Sequence, residues 1–132
     1  MPSSASLPAT APADTAFVAS ADVAWTTVGA GVRRQILGHG PDLMLVRVDF
    51  ERDAVGAVHH HPHRQVTYVA AGRFAVQVGD ARRELGPGDT FFAVADVPHG
   101  VVALEPGTLI DVFTPAREEF LRPTTPPAPS ER

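Results

Sequence analysis

Between Leu43 and Phe113 the apolar residues come in short runs, and glycine or proline cuts off most of them. Arg73-Phe-Ala-Val-Gln-Val78 alternates, so Phe74, Val76 and Val78 share one face of a strand. Gly79-Asp80 then reads as a hairpin turn into Ala81–Leu85, and Gly86-Pro87-Gly88-Asp89 as a second turn. Similar runs occupy 43–50, 66–70, 90–94, 100–104 and 108–113. Many short strands with such punctuation predict an all-β domain, a closed barrel or a sandwich. The one helix expected is short, around Pro115 to Leu121. His39, in Gly38-His39-Gly40-Pro41, reads as a residue of an exposed turn.

The ends of the chain differ from this pattern. Residues 1–19 are rich in Ala, Pro, Ser and Thr, and 123–132 are rich in Pro. Neither segment has enough large apolar groups to offset the entropy of ordering, so both are expected to be disordered. The barrel is expected over 20–122. A chain of 132 residues suffices for one such domain.

Charge and composition narrow the function. The net charge is −4, which argues against nucleic acid as a partner. No apolar run approaches the roughly 20 residues of a membrane span, and no basic stretch precedes an apolar one as in a signal peptide. With no cysteine there is neither disulfide nor thiolate, which fits the cytoplasm. All 11 cationic side chains are Arg, so Schiff-base chemistry on lysine is excluded.

Four of the six histidines fall in His59-His60-His61-Pro62-His63-Arg64-Gln65. On a strand His59 and His61 point the same way and His60 the other. Gln65 returns to the first face if the strand continues. Two imidazoles and an amide carbonyl converging inside a β-protein suit a divalent metal. His63, after Pro62, falls at the rim, where it could touch a substrate or add a ligand.

The spacing of Gly56, His59-x-His61, Gln65 and Gly72, followed by Gly86-Pro87-Gly88-Asp89 and Pro98-His99, resembles the two signature motifs of the cupin superfamily. The resemblance covers roughly residues 40–120. It implies a double-stranded β-helix, or jelly-roll barrel, holding one metal through His59, His61, Gln65 and His99. The acidic ligand common in cupins is Gln here, so a divalent ion would keep its full charge. It would then be a stronger Lewis acid and resist oxidation, which argues against iron–oxygen chemistry. Three imidazoles and one amide oxygen suit Zn, Ni, Mn or Fe(II).

The segment Asp111-Val-Phe113-Thr-Pro-Ala-Arg117 resembles the ending of the small pectin-degradation cupins of the KdgF type, which open the ring of 4,5-unsaturated uronates. That resemblance implies that Asp111 shuttles protons, Phe113 walls the pocket and Arg117 grips a substrate carboxylate. Gln-bearing cupins also resemble polyketide cyclases, in which a base removes an α-proton from a poly-β-keto chain. Both reactions are redox-neutral proton transfers beside an oxygen that the metal polarises. An Fe(II) dioxygenase and a non-catalytic small-molecule binding module are the alternatives from other classes. The expected partner is a small anionic or polycarbonyl substrate. By analogy with such cupins, the expected assembly is a homodimer.

Overall fold

Ten strands carry the chain back and forth between two antiparallel sheets in this computed structural model, which describes residues 7–8 and 10–122. They are β1 (Thr26–Gly29), β2 (Val32–Gly40), β3 (Leu43–Phe50), β4 (Val55–His59), β5 (Arg64–Ala71), β6 (Phe74–Val78), β7 (Ala81–Leu85), β8 (Thr90–Ala93), β9 (His99–Ala103) and β10 (Gly107–Thr114). One sheet has the order β1-β2-β3-β10-β5-β8, the other β4-β9-β6-β7. The architecture is the all-β jelly-roll barrel.

Period-two alternation decides which side chains enter the barrel. On β10, Leu109 and Phe113 point inward and are buried, and Asp111 shares their face. On β5 the inward set is Gln65, Thr67 and Val69, all buried. The inner faces pack into two apolar clusters. One is built on Phe50, Val69, Phe74, Val101 and Leu109, the other on Ile36, Met44, Val46, Phe113 and Ala116. Phe50 and Phe74 meet edge to face with ring centroids 5.2 Å apart, a geometry the aromatic quadrupole favours.

Turn chemistry closes the strands. The β6–β7 hairpin turns at Gly79, and β5 is followed by Gly72, whose φ of +81° lies in the left-handed region. A Cβ at Gly72 would also sit 2.5 Å from the carbonyl oxygen of Pro106, so position 72 excludes every larger residue twice over.

Three expectations are corrected. The ladder does not run on from His59 to Gln65. β4 ends at His59, the chain bends through 60–63, and β5 starts at Arg64 in the other sheet. Pro62, with no N–H to donate, sits within that break. His39 lies at the end of β2, opposite Met44, and not in a turn. β2 was hard to read because both its faces are covered. Ile36 is buried inward, while Gln35 is buried outward, donating to the carbonyls of Ser20 and Val23. The helix expected around 115–121 is a single 3-10 turn, Glu118–Leu121.

In the segment before the barrel, the described residues form only one 3-10 turn, Ser20–Asp22. The Asp14 N–H donates to the His39 carbonyl at 2.8 Å, and the Ala24 N–H to Pro8 at 2.9 Å. Residues 1–6, 9 and 123–132, part of the segments expected to be disordered, lie outside the described residues. Among the described residues no helix is long and apolar enough to cross a membrane.

Candidate metal centre

Three imidazoles meet between the two sheets. His59 and His99 are directly opposed on neighbouring strands β4 and β9, with ring centroids 4.5 Å apart. The register slips between Gly56 and His59, an irregularity of the kind that re-aims side chains beside sites. Gly100 permits the close approach, since a Cβ there would lie 3.0 Å from the Gly56 carbonyl oxygen. His61 comes from the bend before β5, its ring centroid 4.8 Å from that of His99. One ring nitrogen from each histidine lies within 4.8 Å of the others.

Hydrogen bonds fix which nitrogen each ring offers. The Nδ1 atoms of His59, His61 and His99 lie 2.8, 2.9 and 2.9 Å from the carbonyls of Ala57, His63 and Val97. A carbonyl only accepts, so each Nδ1 carries the proton and each Nε2 presents a lone pair. Metal-binding histidines are oriented by the same device. Burial lowers the proton affinity of His61, aided by the Arg117 charge, and burial likewise lowers that of His99. Neutral imidazole, the form that binds metal, is therefore the favoured form at both positions.

Gln65 completes the set. Its Nε2 donates to Thr67 Oγ1 at 2.8 Å, and the Thr67 hydroxyl donates to Asp111 Oδ1 at 2.7 Å. With the amide nitrogen held there, Oε1 faces the rings, 3.1 Å from both His61 Nε2 and His99 Nε2. Lone pairs thus converge on lone pairs with no hydrogen between them. Such a set is electrostatically unfavourable until a cation enters, so the donors present fit a divalent ion.

The remaining predicted residues surround this cluster. Desolvation pushes the Asp111 carboxyl up to about 6, against the opposing effects of the Thr67 hydrogen bond and the Arg117 charge. Phe113 is 2% exposed, and its ring lies edge-on to His61 at 5.8 Å. The Arg117 guanidinium stands over Phe113 at 5.3 Å and over Phe120 at 4.3 Å, and is paired with Glu119 at 2.9 Å. His60 points away, exposed, 3.8 Å from the Asp96 carboxylate. His63 is outside the three-histidine cluster. Its carbonyl orients His61, its ring lies 5.5 Å from that of His61, and its Nδ1 is buried without a hydrogen-bond partner among the described residues. His39 is also outside the cluster.

Sequence reasoning missed Thr67, Glu119 and Phe120. Thr67 was within reach, since it lies two residues past Gln65 and must share its face. Glu119 and Phe120 belong to the short 3-10 turn, for which periodicity offers no signal.

A family model described as a cupin domain matches residues 46–113, which include all three clustered histidines, Gln65 and Asp111. The chain is a cupin. Its relatives include the pectin degradation protein KdgF of Dickeya dadantii (strain 3937). The two are 46% identical over 99 residues, 74% of this cupin and 90% of that protein. Among solved structures, KdgF from Halomonas sp. is 43% identical with a TM-score of 0.76, covering 79% of this chain and 98% of that one. An RmlC-like cupin from Shewanella frigidimarina is 41% identical with a TM-score of 0.79, covering 81% and 96%. The polyketide cyclase RemF from Streptomyces resistomycificus superposes with a TM-score of 0.67 over 77% of this chain and 80% of its own. It is only 20% identical, so that likeness is one of fold.

Proposed function

We propose that this cupin is a metal-dependent enzyme that opens and tautomerises 4,5-unsaturated uronates. The observation that carries the proposal is the Asp111–Thr67–Gln65 relay. It sets a carboxyl that titrates near neutrality beside four donors suited to a divalent ion. The substrate class rests on the 46% identity to a protein named for pectin degradation.

A divalent ion, held when bound by His59, His61, His99 and Gln65, supplies Lewis acidity toward a substrate oxygen. Asp111 does the proton work, because a group titrating near the operating pH both accepts and returns a proton. It takes the proton of the anomeric hydroxyl as the bond from C1 to the ring oxygen breaks. It returns a proton to C4 as the enol becomes a ketone. The product is an isomer of the substrate, and no electrons are gained or lost. Arg117 forks onto the uronate carboxylate, and Phe113 keeps water from that side of the pocket. A cytoplasmic homodimer is part of the same proposal, and sedimentation analysis checks the assembly.

The decisive assay offers 4,5-unsaturated galacturonate to protein loaded separately with Zn, Ni, Mn or Fe(II), and to chelated protein. Loss of the conjugated enol-acid absorbance, dependent on metal, is the expected result. Absorbance unchanged with every metal sinks the proposal. Oxygen uptake would identify a dioxygenase, and tight ligand binding untouched by Asp111→Ala with no turnover a binding module.

A further inference from the structure

Arg34 stands apart from the other arginines of this barrel. It lies on β2 between Val32 and Ile36, opposite Val48, and so shares the inward face of those two buried residues. It is half-buried, and among the described residues its guanidinium forms no ion pair. Its neighbour Arg33 points outward, onto Trp25 at 3.9 Å and toward Asp49 at 3.8 Å.

Two contacts define the Arg34 environment. Its guanidinium carbon lies 3.7 Å from the centroid of Phe120, the ring on which Arg117 also stacks at 4.3 Å. Laid end to end, those distances bound the separation of the two guanidinium carbons at about 8 Å. Phe120 in turn meets Phe113 edge-on at 5.9 Å, and Phe113 meets His61 at 5.8 Å. The two arginines therefore stack on one ring, which reaches the metal centre through Phe113.

The local charge is unbalanced. Two guanidinium groups are gathered here, and the acid beside them, Glu119, is already engaged by Arg117 through two hydrogen bonds. Burial and the Arg117 charge both work against the protonated Arg34, and the Glu119 charge, the smallest of the three effects, works for it. One cation is left over in a partly desolvated place, and a π-face offsets only part of that cost. What balances a single surplus positive charge is a single negative one. A planar fork selects a carboxylate.

We propose that Arg34 is a second carboxylate-binding residue, holding the acid group of a sugar-acid monoanion together with Arg117 beside the Phe120 ring. The inference rests on the proposed uronate chemistry for the identity of the substrate, and extends it by naming what selects the acid over a neutral sugar. Arg34 lies beyond Phe113 and Phe120 from the imidazoles, so it contributes to binding and not to the bond-making step.

The test uses the full-length, metal-loaded protein and galacturonate, a saturated monocarboxylate, with neutral galactose as the control ligand, followed by calorimetry. Arg34→Gln is expected to weaken galacturonate binding about tenfold or more. Arg34→Lys recovers part of the loss, and Arg33→Gln leaves binding unchanged. With 4,5-unsaturated galacturonate as substrate, Arg34→Gln raises KM by a similar factor and keeps kcat within about twofold. Equal galacturonate affinity in wild type and Arg34→Gln overturns the proposal, as does wild-type protein that binds galactose as well as galacturonate. So does a variant that loses thermal stability alone, which would make Arg34 a mere clasp on Phe120. Should Arg34→Gln not fold, Arg34→Lys and Arg34→Met carry the same comparison. Arg34-dependent galacturonate binding in a protein that never turns over the unsaturated acid would refute the enzymatic proposal and leave this one standing.

Discussion

The two ends of the barrel are built by the same strands and have opposite chemistry. At one end β5, β9 and β10 contribute Val69, Val101, Ala103 and Leu109, which pack with Phe50 and Phe74 into an apolar cluster. One or two residues along the same inward faces, these strands contribute Gln65 and Thr67, His99, and Asp111. Along β10 the backbone does not mark the change, because the ladder runs unbroken from Leu109 to Phe113 against both β3 and β5, whereas β4 slips its register on β9 between Gly56 and His59. On β10 the difference is one of side chains alone. Apolar burial at one end supplies stability that the other end spends on converging lone pairs and a desolvated carboxyl.

This contrast breaks most visibly at Asp111. Under the proposed chemistry Asp111→Asn lowers kcat on unsaturated galacturonate by about 10²–10⁴-fold. The same change removes a buried charge, so the metal-free protein should melt no lower than wild type at pH 7. The sign follows from the raised carboxyl pKa of about 6. The ionised form is disfavoured in the folded state, so this group costs stability as pH rises from the ordinary value of 3.8 through 6. A clear fall in melting temperature for Asp111→Asn would contradict the division between the two ends.

Phe74→Ala attacks the other end. Phe74 is fully buried against Phe50, and its truncation should cost about 3–5 kcal/mol in denaturant unfolding. Metal affinity measured well below the melting temperature should stay within a factor of two or so of wild type. Strong coupling between the two would show that the ends are not independent.

Metal addition sharpens the comparison from the polar side. A cation that relieves the facing lone pairs binds the folded chain selectively. At a hundredfold excess over its Kd it should stabilise by about 2.7 kcal/mol, read as a higher melting temperature than with chelator. His99→Ala should abolish that increment. The smallest of these effects is expected for Thr67→Val, which keeps the shape and removes the hydroxyl between Gln65 and Asp111. Loss of that orienting contact should weaken metal affinity about 10–100-fold, measured by competition with a chelating dye.

Much of this was legible along the chain, for reasons that can be named. Phe74, Val76 and Val78 alternate against polar neighbours, so β6 and its hairpin partner could be read directly. β2 could not, because Gln35 is buried on the outer face under a segment fifteen residues earlier, and alternation fails when both faces are covered. The histidines were picked out by type and spacing, yet the mechanism of their convergence was misjudged. A strand continuing from His59 would have put Gln65 in the same sheet. Instead the bend around Pro62 moves His61 off β4 and starts β5 across the barrel, so the cluster closes between sheets. Arg34 carried no mark at all, since an arginine on a strand next to another arginine reads as solvent-facing until its partner face is known.

The order of residues along the chain carries the local terms: which runs prefer to be strands, where glycine must turn the chain, and which side chains can donate to a metal. Those depend on a residue and its near neighbours. Which lone pairs face one another, which carboxyl loses its water and which guanidinium stacks on a ring instead of an acid emerge only once the strands are packed. Electrostatic energies depend on distances between groups remote in the chain, and here those groups come from β2, β4, β5, β9, β10 and the turn after it.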